Sequence, residues 1–423
     1  MSATAADSLD FAITVTSSDN TPDAVVDAVL TSICPDIKDN ESLTSNLKNV
    51  CNFVEGASPE QITIVNEELS AKANTASSTL TSRTPSLSST GGIGSRLTAL
   101  RNSTKKVTEL GFRSKTKHRT PNMLSNALSD DTGGGLLSQR LSGFLNINNI
   151  SSEQLLSDTE IGYESTSRGL LFGMDYRLTH KTFVGLAAQY FNSSAELTDA
   201  GSQLDANKFG ITLYSTHFIN DHWYIEGTLN NSLQQLDLKR QIDIPLASNP
   251  IKSIASGDTS SQQLGAYIGS GYDIPLLFGI NSALSIGLAY SATNISEYSE
   301  SNTDNLGLAI DSQSITSLTS YANAYLSRVF STSLGVLIPQ VSATWIHETD
   351  SESQEIVAQF VDDASNTKFK FNTPEPDPNY FILGLDLQMV LPQGRMIFLK
   401  YTNVRRLRSK KEDTLSAGFR MEF

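Results

Sequence analysis

TLSAGFRMEF, residues 414–423, places Leu415, Ala417, Phe419, Met421 and Phe423 on one side of an extended chain. Thr414, Ser416, Gly418, Arg420 and Glu422 fall on the other. Apolar residues at every second position mark a strand with one apolar face, because successive side chains of a strand point to opposite sides. WYIEGTLNNSLQ, residues 223–234, repeats the pattern, with Trp223, Ile225, Leu229 and Leu233 opposed to Tyr224, Glu226, Thr228, Asn230, Ser232 and Gln234. Similar runs occur at 170–176, 184–190, 209–213, 284–290 and 381–391. From Arg140 to Phe423 the period is two throughout.

One such strand fits a soluble sandwich or a membrane barrel equally well. Connection lengths separate them. Twelve strands are expected, at about 140–149, 167–178, 182–193, 206–218, 222–237, 259–274, 282–295, 313–330, 334–348, 379–391, 395–404 and 412–423. Short links at 179–181, 219–221, 275–281, 331–333 and 392–394 then alternate with long ones, including 239–258, 296–312 and 349–378. Tight turns on one side and long loops on the other characterise outer-membrane barrels. The expected strands also exceed the roughly 9 to 11 residues that a tilted strand needs to cross a bilayer. In lipid a sheet must close on itself, since an open edge leaves backbone donors and acceptors unpaired.

Composition agrees. Of 423 residues, 39% are hydrophobic and only 18% charged, below the roughly 25% usual in soluble proteins. A net charge of -14 argues against nucleic acid as a partner, because affinity for a phosphate backbone comes from clustered Lys and Arg. The sequence has no run of about 18 apolar residues, which excludes a membrane-spanning helix and leaves a barrel open.

Ahead of the strands, DAVVDAVLTSIC, NESLTSNLKNVCNFV and SPEQITIVNEELS read as helices between Thr21 and about Ser70; Ser58 suits an N-cap and Pro59 the first helical position. Residues 73–95 read as a Ser/Thr/Gly-rich linker. IGSRLTALRNSTKKV, residues 93–107, is amphipathic and precedes a polar connection through Gly133, Gly134 and Gly135. The organisation expected is 1–90 helical region and linker, 91–139 pore segment and linker, 140–423 barrel. Residues 9–15 alternate like a strand, either a remnant of an upstream domain within 1–20 or a frayed tail. The opening MSATAADSLDFAITVTSSDN lacks the basic and apolar regions of an export leader, so Met1 is expected to replace a removed leader or a larger upstream region.

The order and spacing of GLLFGMDYRLTHKTFVGLAAQY, GITLYSTHFINDHWYIEGTL, SGYDI, EYSES, LIPQVSATWIHE, FLKYTN and AGFRMEF resemble the translocator domain of monomeric, type Va bacterial autotransporters. The resemblance covers about Gly91 to Phe423. It implies an all-β transmembrane barrel of 12 antiparallel strands in the bacterial outer membrane, with an N-terminal helical segment and a helix traversing the pore. It implies type V secretion: export and surface anchoring of the chain's own N-terminal passenger, little or none of which is present here. A passive porin and a surface adhesin displayed by its own barrel are the alternatives.

On that reading residues 93–107 are the candidate pore helix. Arg96, Arg101, Lys105 and Lys106 would face the lumen partners Asp175, Glu226, Asp386 and Glu422, in a channel whose dielectric lies below that of bulk water. The alternative is a solvated helix, with part of 133–140 or the preceding linker in the pore. Phe419, Met421 and Phe423 resemble the terminal signal read by the outer-membrane barrel assembly machinery, whose exposed edge the last strand could pair. Lipid and lipopolysaccharide are the other expected partners, and the barrel is expected to be a monomer. Trp223, Trp345, Tyr176, Tyr190, Tyr290 and Tyr401 are candidates for the aromatic girdles at the two bilayer interfaces.

Cys34 and Cys51, the only cysteines, are expected to form a disulfide in an exported protein, worth about 3 kcal/mol in the chain-entropy model. No metal site is expected from five scattered histidines, His118, His180, His217, His222 and His347. No GxSxG, HExxH or phosphate-binding loop occurs, so neither catalysis nor a cofactor is expected. The pair Asn148-Asn149, a conceivable self-cleavage point, falls in the first strand.

Overall fold

The computed structural model describes residues 34–35, 46–69, 97, 140–155, 162–198, 201–246, 250–276, 279–301, 305–349, 354–363, 367–373, 377–405 and 410–423. Twelve long strands run along the chain. They are β1 (Leu141–Gln154), β2 (Tyr163–Arg177), β3 (Thr182–Leu197), β4 (Gln203–Phe218), β5 (Trp223–Ile244) and β6 (Ile251–Pro275), then β7 (Ile280–Ile295), β8 (Gln313–Arg328), β9 (Val336–Glu348), β10 (Asn379–Leu391), β11 (Arg395–Arg405) and β12 (Lys410–Glu422). Each pairs antiparallel with its sequence neighbours, and the two-residue Phe330–Ser331 prolongs the β8–β9 hairpin. β1 pairs with β12 over its whole length, Ser142 opposite Glu422 and Gln154 opposite Lys410, so the sheet closes.

All twelve expected strands are present, and on the short-turn side their ends fall within about two residues of expectation. The other side differs. β5 runs to Ile244 and β6 starts at Ile251, so the expected loop 239–258 is two strand arms joined by residues 245–250. In these arms most apolar side chains no longer face outward. The backbone ladder continues through them because pairing does not depend on which face is apolar.

The wall is polar inside and apolar outside at membrane level. Ser142, Asn146 and Asn148 of β1 point inward and are buried, while Leu145 and Ile147 point outward and are exposed. The six girdle aromatics all lie exposed on the outer face. Tyr190 reaches from the apolar belt to the next polar row, donating to Asn207 Oδ1 at 2.9 Å, and Trp223 Nε1 donates to Ser270 Oγ at 2.6 Å. A ring with a polar tip suits the water–lipid boundary. Inside, the ring of Tyr214 lies over Gly185, where any Cβ would come within 2.1 Å of it.

Among the described residues ahead of the barrel are the helices α1 (Asn46–Val54) and α2 (Pro59–Leu69). α1 buries Leu47, Val50, Cys51 and Val54, a single face at helical spacing. α2 opens as expected at Ser58 and Pro59. Ser58 N donates to Gln61 Oε1 at 2.9 Å and Gln61 N to Ser58 Oγ at 3.5 Å, the reciprocal arrangement of a capping box. No described helix is long and apolar enough to cross a membrane.

Candidate functional site: the lumen and its outer mouth

The interior has two zones. Near the short-turn end, Phe144, Leu171, Phe183, Ala187 and Tyr214 project inward and form an apolar cluster with Leu97, which is helical and 2% exposed. Phe183 directly follows a short turn, which fixes the level of the cluster. Leu97 belongs to the candidate pore segment 93–107, and it lies inside the barrel.

Around and above this cluster the lumen is polar. Asp175 accepts from Ser142 Oγ at 2.7 Å and from Tyr214 OH at 3.3 Å, Glu226 from Tyr267 OH at 3.2 Å, and Asp273 from Tyr325 OH at 2.8 Å. Asp386 is also inward and buried. Glu422 meets Arg420 of its own strand. Lys208 points inward too, donating to Gln263 Oε1 at 3.0 Å, so the lumen carries cations as well as acids. Arg96, Arg101, Lys105 and Lys106 lie outside the described residues. So do residues 1–33, which include the strand-like 9–15, and the connection 98–139.

Phe419, Met421 and Phe423 share the outer face of β12 and its end, and Phe423 N donates to Leu141 O at 2.9 Å, extending the closing ladder by one bond. Asn148 and Asn149 point to opposite sides of the wall. Asn148 Oδ1 accepts from Ser416 Oγ at 2.7 Å, across the closing β1–β12 ladder. No group of His, Cys, Asp and Glu suited to a metal occurs among the described residues.

The second zone is a collar formed by the strand ends beyond the membrane, on the long-loop side. Here the pattern inverts. Along β5, Trp223, Ile225, Leu229 and Leu233 face outward and Glu226, Ser232 and Gln234 inward; from Gln235 onward, Gln235, Asp237, Lys239 and Asp243 face outward and Leu236, Leu238, Ile242 and Ile244 inward. Leu197, Leu204, Ile251 and Ile295 join them from neighbouring strands, forming one apolar core with α1 and α2. A four-stranded sheet built from Tyr298–Ser299, Leu308–Ile310, Glu355–Phe360 and Phe369–Asn372 adds Ile310, Ile356 and Phe360. Cys34 and Cys51 are bridged as expected, with Cα atoms 5.4 Å apart, and both are buried in this core.

A buried ion pair interrupts this apolar core. Arg240 forms a two-pronged pair with Glu300, Nε to Oε1 at 3.1 Å and a terminal nitrogen to Oε2 at 2.6 Å, with both side chains about 3% exposed or less. It also donates to the carbonyls of Glu68 at 3.0 Å and Leu306 at 3.1 Å, while Glu300 accepts from Leu308 N at 3.0 Å. The Glu68 carbonyl is one of the unpaired acceptors at the end of α2, where the helix dipole also favours a cation. The Glu68 carboxylate in turn accepts from Asp243 N at 2.8 Å. Every strong donor and acceptor of this buried pair therefore has a partner in the helix, the barrel or the small sheet. Burial, with the Glu300 carboxylate second, pushes the nearby Tyr298 phenol far above its ordinary value, which keeps it neutral. EYSES, quoted above for the resemblance, supplies both Tyr298 and Glu300. The inversion was visible in the sequence as LDLKRQIDI, residues 236–244, but reads as a loop when apolar faces are expected outside.

The chain thus forms a closed twelve-stranded wall with Leu97 inside it and a second core above the membrane. The family model described as autotransporter beta-domain matches residues 144–402, more than half of the chain. The chain belongs to that family. It is therefore a bacterial outer-membrane protein. Outer membrane protein B of Rickettsia japonica is 25% identical over 145 residues, 34% of this chain and 9% of that protein. The Rickettsia rickettsii protein of the same description gives the same figures. The chain thus matches under a tenth of the length of these relatives. Among solved structures, the translocator domain of autotransporter NalP from Neisseria meningitidis has a TM-score of 0.55 at 12% identity, covering 67% of this chain and 89% of that one. That likeness bears on the fold.

Proposed function

We infer that this barrel carries its own N-terminal region outward through its lumen and then anchors it at the cell surface. The observation behind this reading is the path of the chain. α2 ends at Leu69 inside the long-loop collar, Leu97 lies inside the wall near the short-turn end, and β1 begins at Leu141 on that same short-turn side. A chain fixed at these points enters at one end of the pore and leaves at the other. Long loops face the outside in outer-membrane barrels, so α1 and α2 lie on the far side of the membrane from the start of β1.

No catalytic residue is needed for such a role, and the chain is read as non-enzymatic. Residues 93–107 are read as the pore helix, with Arg96, Arg101, Lys105 and Lys106 turned towards Asp175, Glu226, Asp386 and Glu422. The last strand, ending at Phe423, is read as the edge offered to the assembly machinery before it pairs with β1 and closes the barrel, and the apolar belt as the surface facing lipid and lipopolysaccharide. Folding of the passenger outside and closure of the barrel would supply the drive. The decisive experiment places an epitope ahead of Met1 and labels intact cells. Antibody binding without permeabilisation is expected; an epitope that appears only after lysis would overturn the reading. A large standing conductance with the N-terminal region in place would favour a passive porin instead.

A further inference from the structure

The collar is a built receptor for an amphipathic helical hairpin, and α1 and α2 occupy it. The strand ends turn Leu236, Leu238, Ile242 and Ile244 inward only beyond the membrane belt, and α1 and α2 cover them with Leu47, Val50, Val54, Val65 and Leu69. Without the hairpin this apolar ring would line an aqueous mouth, an unfavourable exposure of contiguous apolar surface. The hairpin is itself braced, since the bridge to Cys34 holds the preceding segment onto α1. Arg240 adds selectivity that apolar contact cannot: it reads the carbonyl end of α2, and it is positioned by Glu300.

We propose that this hairpin is a stopper that seals the outer mouth, distinct from whatever crosses the lumen, and that the Arg240–Glu300 pair is its latch. The proposal rests on the outward path inferred above. When the N-terminal region emerges, the hairpin becomes able to reach the collar, and docking closes the exit behind it. The latch lies between the stopper and the small sheet, so loss of either charge leaves the other buried and uncompensated. That outcome is costly, whereas the intact pair satisfies its neighbours.

The full-length protein carrying Glu300→Gln tests this. Gln keeps the size of the side chain and an oxygen for Leu308 N but removes the charge. The buried Cys34–Cys51 bridge reports docking directly, because a polar phosphine reductant reaches it only when the stopper lifts. Reduction on intact cells is expected to accelerate roughly a hundredfold, and bilayer recordings of the same variant are expected to show frequent openings where the parent stays closed. Unchanged reduction in a variant whose barrel still shifts on boiling would overturn the latch. Faster reduction without any rise in openings would overturn the seal, as would a parent protein that conducts steadily. A bridge protected from outside reductant in every variant, yet reduced after lysis, would instead count against the outward path itself.

Discussion

The two halves of β5 obey the same alternation with opposite sign. Between Trp223 and Gln234 the large aliphatic side chains meet lipid and most polar ones line the pore, with Asn231 outside and Tyr224 inside as exceptions; between Gln235 and Ile244 most polar side chains meet water and the apolar ones face the core with α1 and α2. Nothing in the backbone marks the change. What differs is the solvent on each side of the wall, so the inversion at Leu233 to Leu236 marks the end of the outward apolar belt on this strand. A barrel in lipid and a folded core in water are here one continuous sheet, and the hydrophobic effect organises only the second in the usual way, because lipid tails are themselves apolar.

That contrast can be broken by substitution. The largest effect is expected at the latch: Arg240→Ala leaves Glu300 buried alone and should destabilise docking of the hairpin by about 3 to 5 kcal/mol, read from denaturant titration of the reconstituted protein. Arg240→Met combined with Glu300→Leu should lose much less, since apolar replacement of both partners removes the stranded charge. Next comes packing. Leu236→Ala, in the collar, should cost about 2 to 5 kcal/mol through the cavity it leaves, whereas Leu233→Ala, facing lipid three residues earlier, leaves a space that acyl chains fill and should cost far less. Charge insertion reverses the ranking on the outer face. Leu229→Arg should cost about 2 to 4 kcal/mol where the face meets the bilayer interior, and Gln235→Arg about 0 to 1. Equal costs for the last pair would show that the boundary is not where the pattern inverts.

The barrel was legible because its signal is local and repeated: a strand writes its two faces into adjacent residues, as in Leu415 to Phe423, and the short turns punctuate it. The outward placement of the six aromatics was legible for the same reason, and the Cys34–Cys51 bridge because the chain has only these two cysteines. The collar was not, because LDLKRQIDI alternates correctly but with its apolar residues turned to the other side, so a rule that places apolar faces outward ends the strand at the membrane. The Arg240–Glu300 pair was invisible for a different reason. Its members are 60 residues apart and come together only through closure of the sheet above the bilayer; in the sequence each is an ordinary charged residue. Among the lumen acids, Asp175, Glu226 and Asp386 could be placed from strand parity alone, while their hydrogen-bond partners depend on register.

The smallest expected effect makes the comparison sharpest, because it concerns an ion pair on the same strand end. Asp243 pairs with Lys252 at 2.8 Å on the outer face of the collar, where their side chains are 39% and 71% exposed. The hydrogen bond that Lys252 donates to the Asp243 carboxylate, then that carboxylate's charge, holds the ammonium above its ordinary value. A raised lysine value means that any stabilisation is fully present below the ordinary lysine range and is lost as pH rises through the raised value. Water screens both groups, and an exposed pair loses side-chain entropy for little Coulomb energy. Asp243→Asn should therefore leave the denaturation midpoint unchanged at neutral pH, although Arg240 and Asp243 are only three residues apart. A neutral-pH loss approaching that of Arg240→Ala would mean that the outer face of the collar is not in water, and would place the membrane boundary above Asp243 rather than at Leu233.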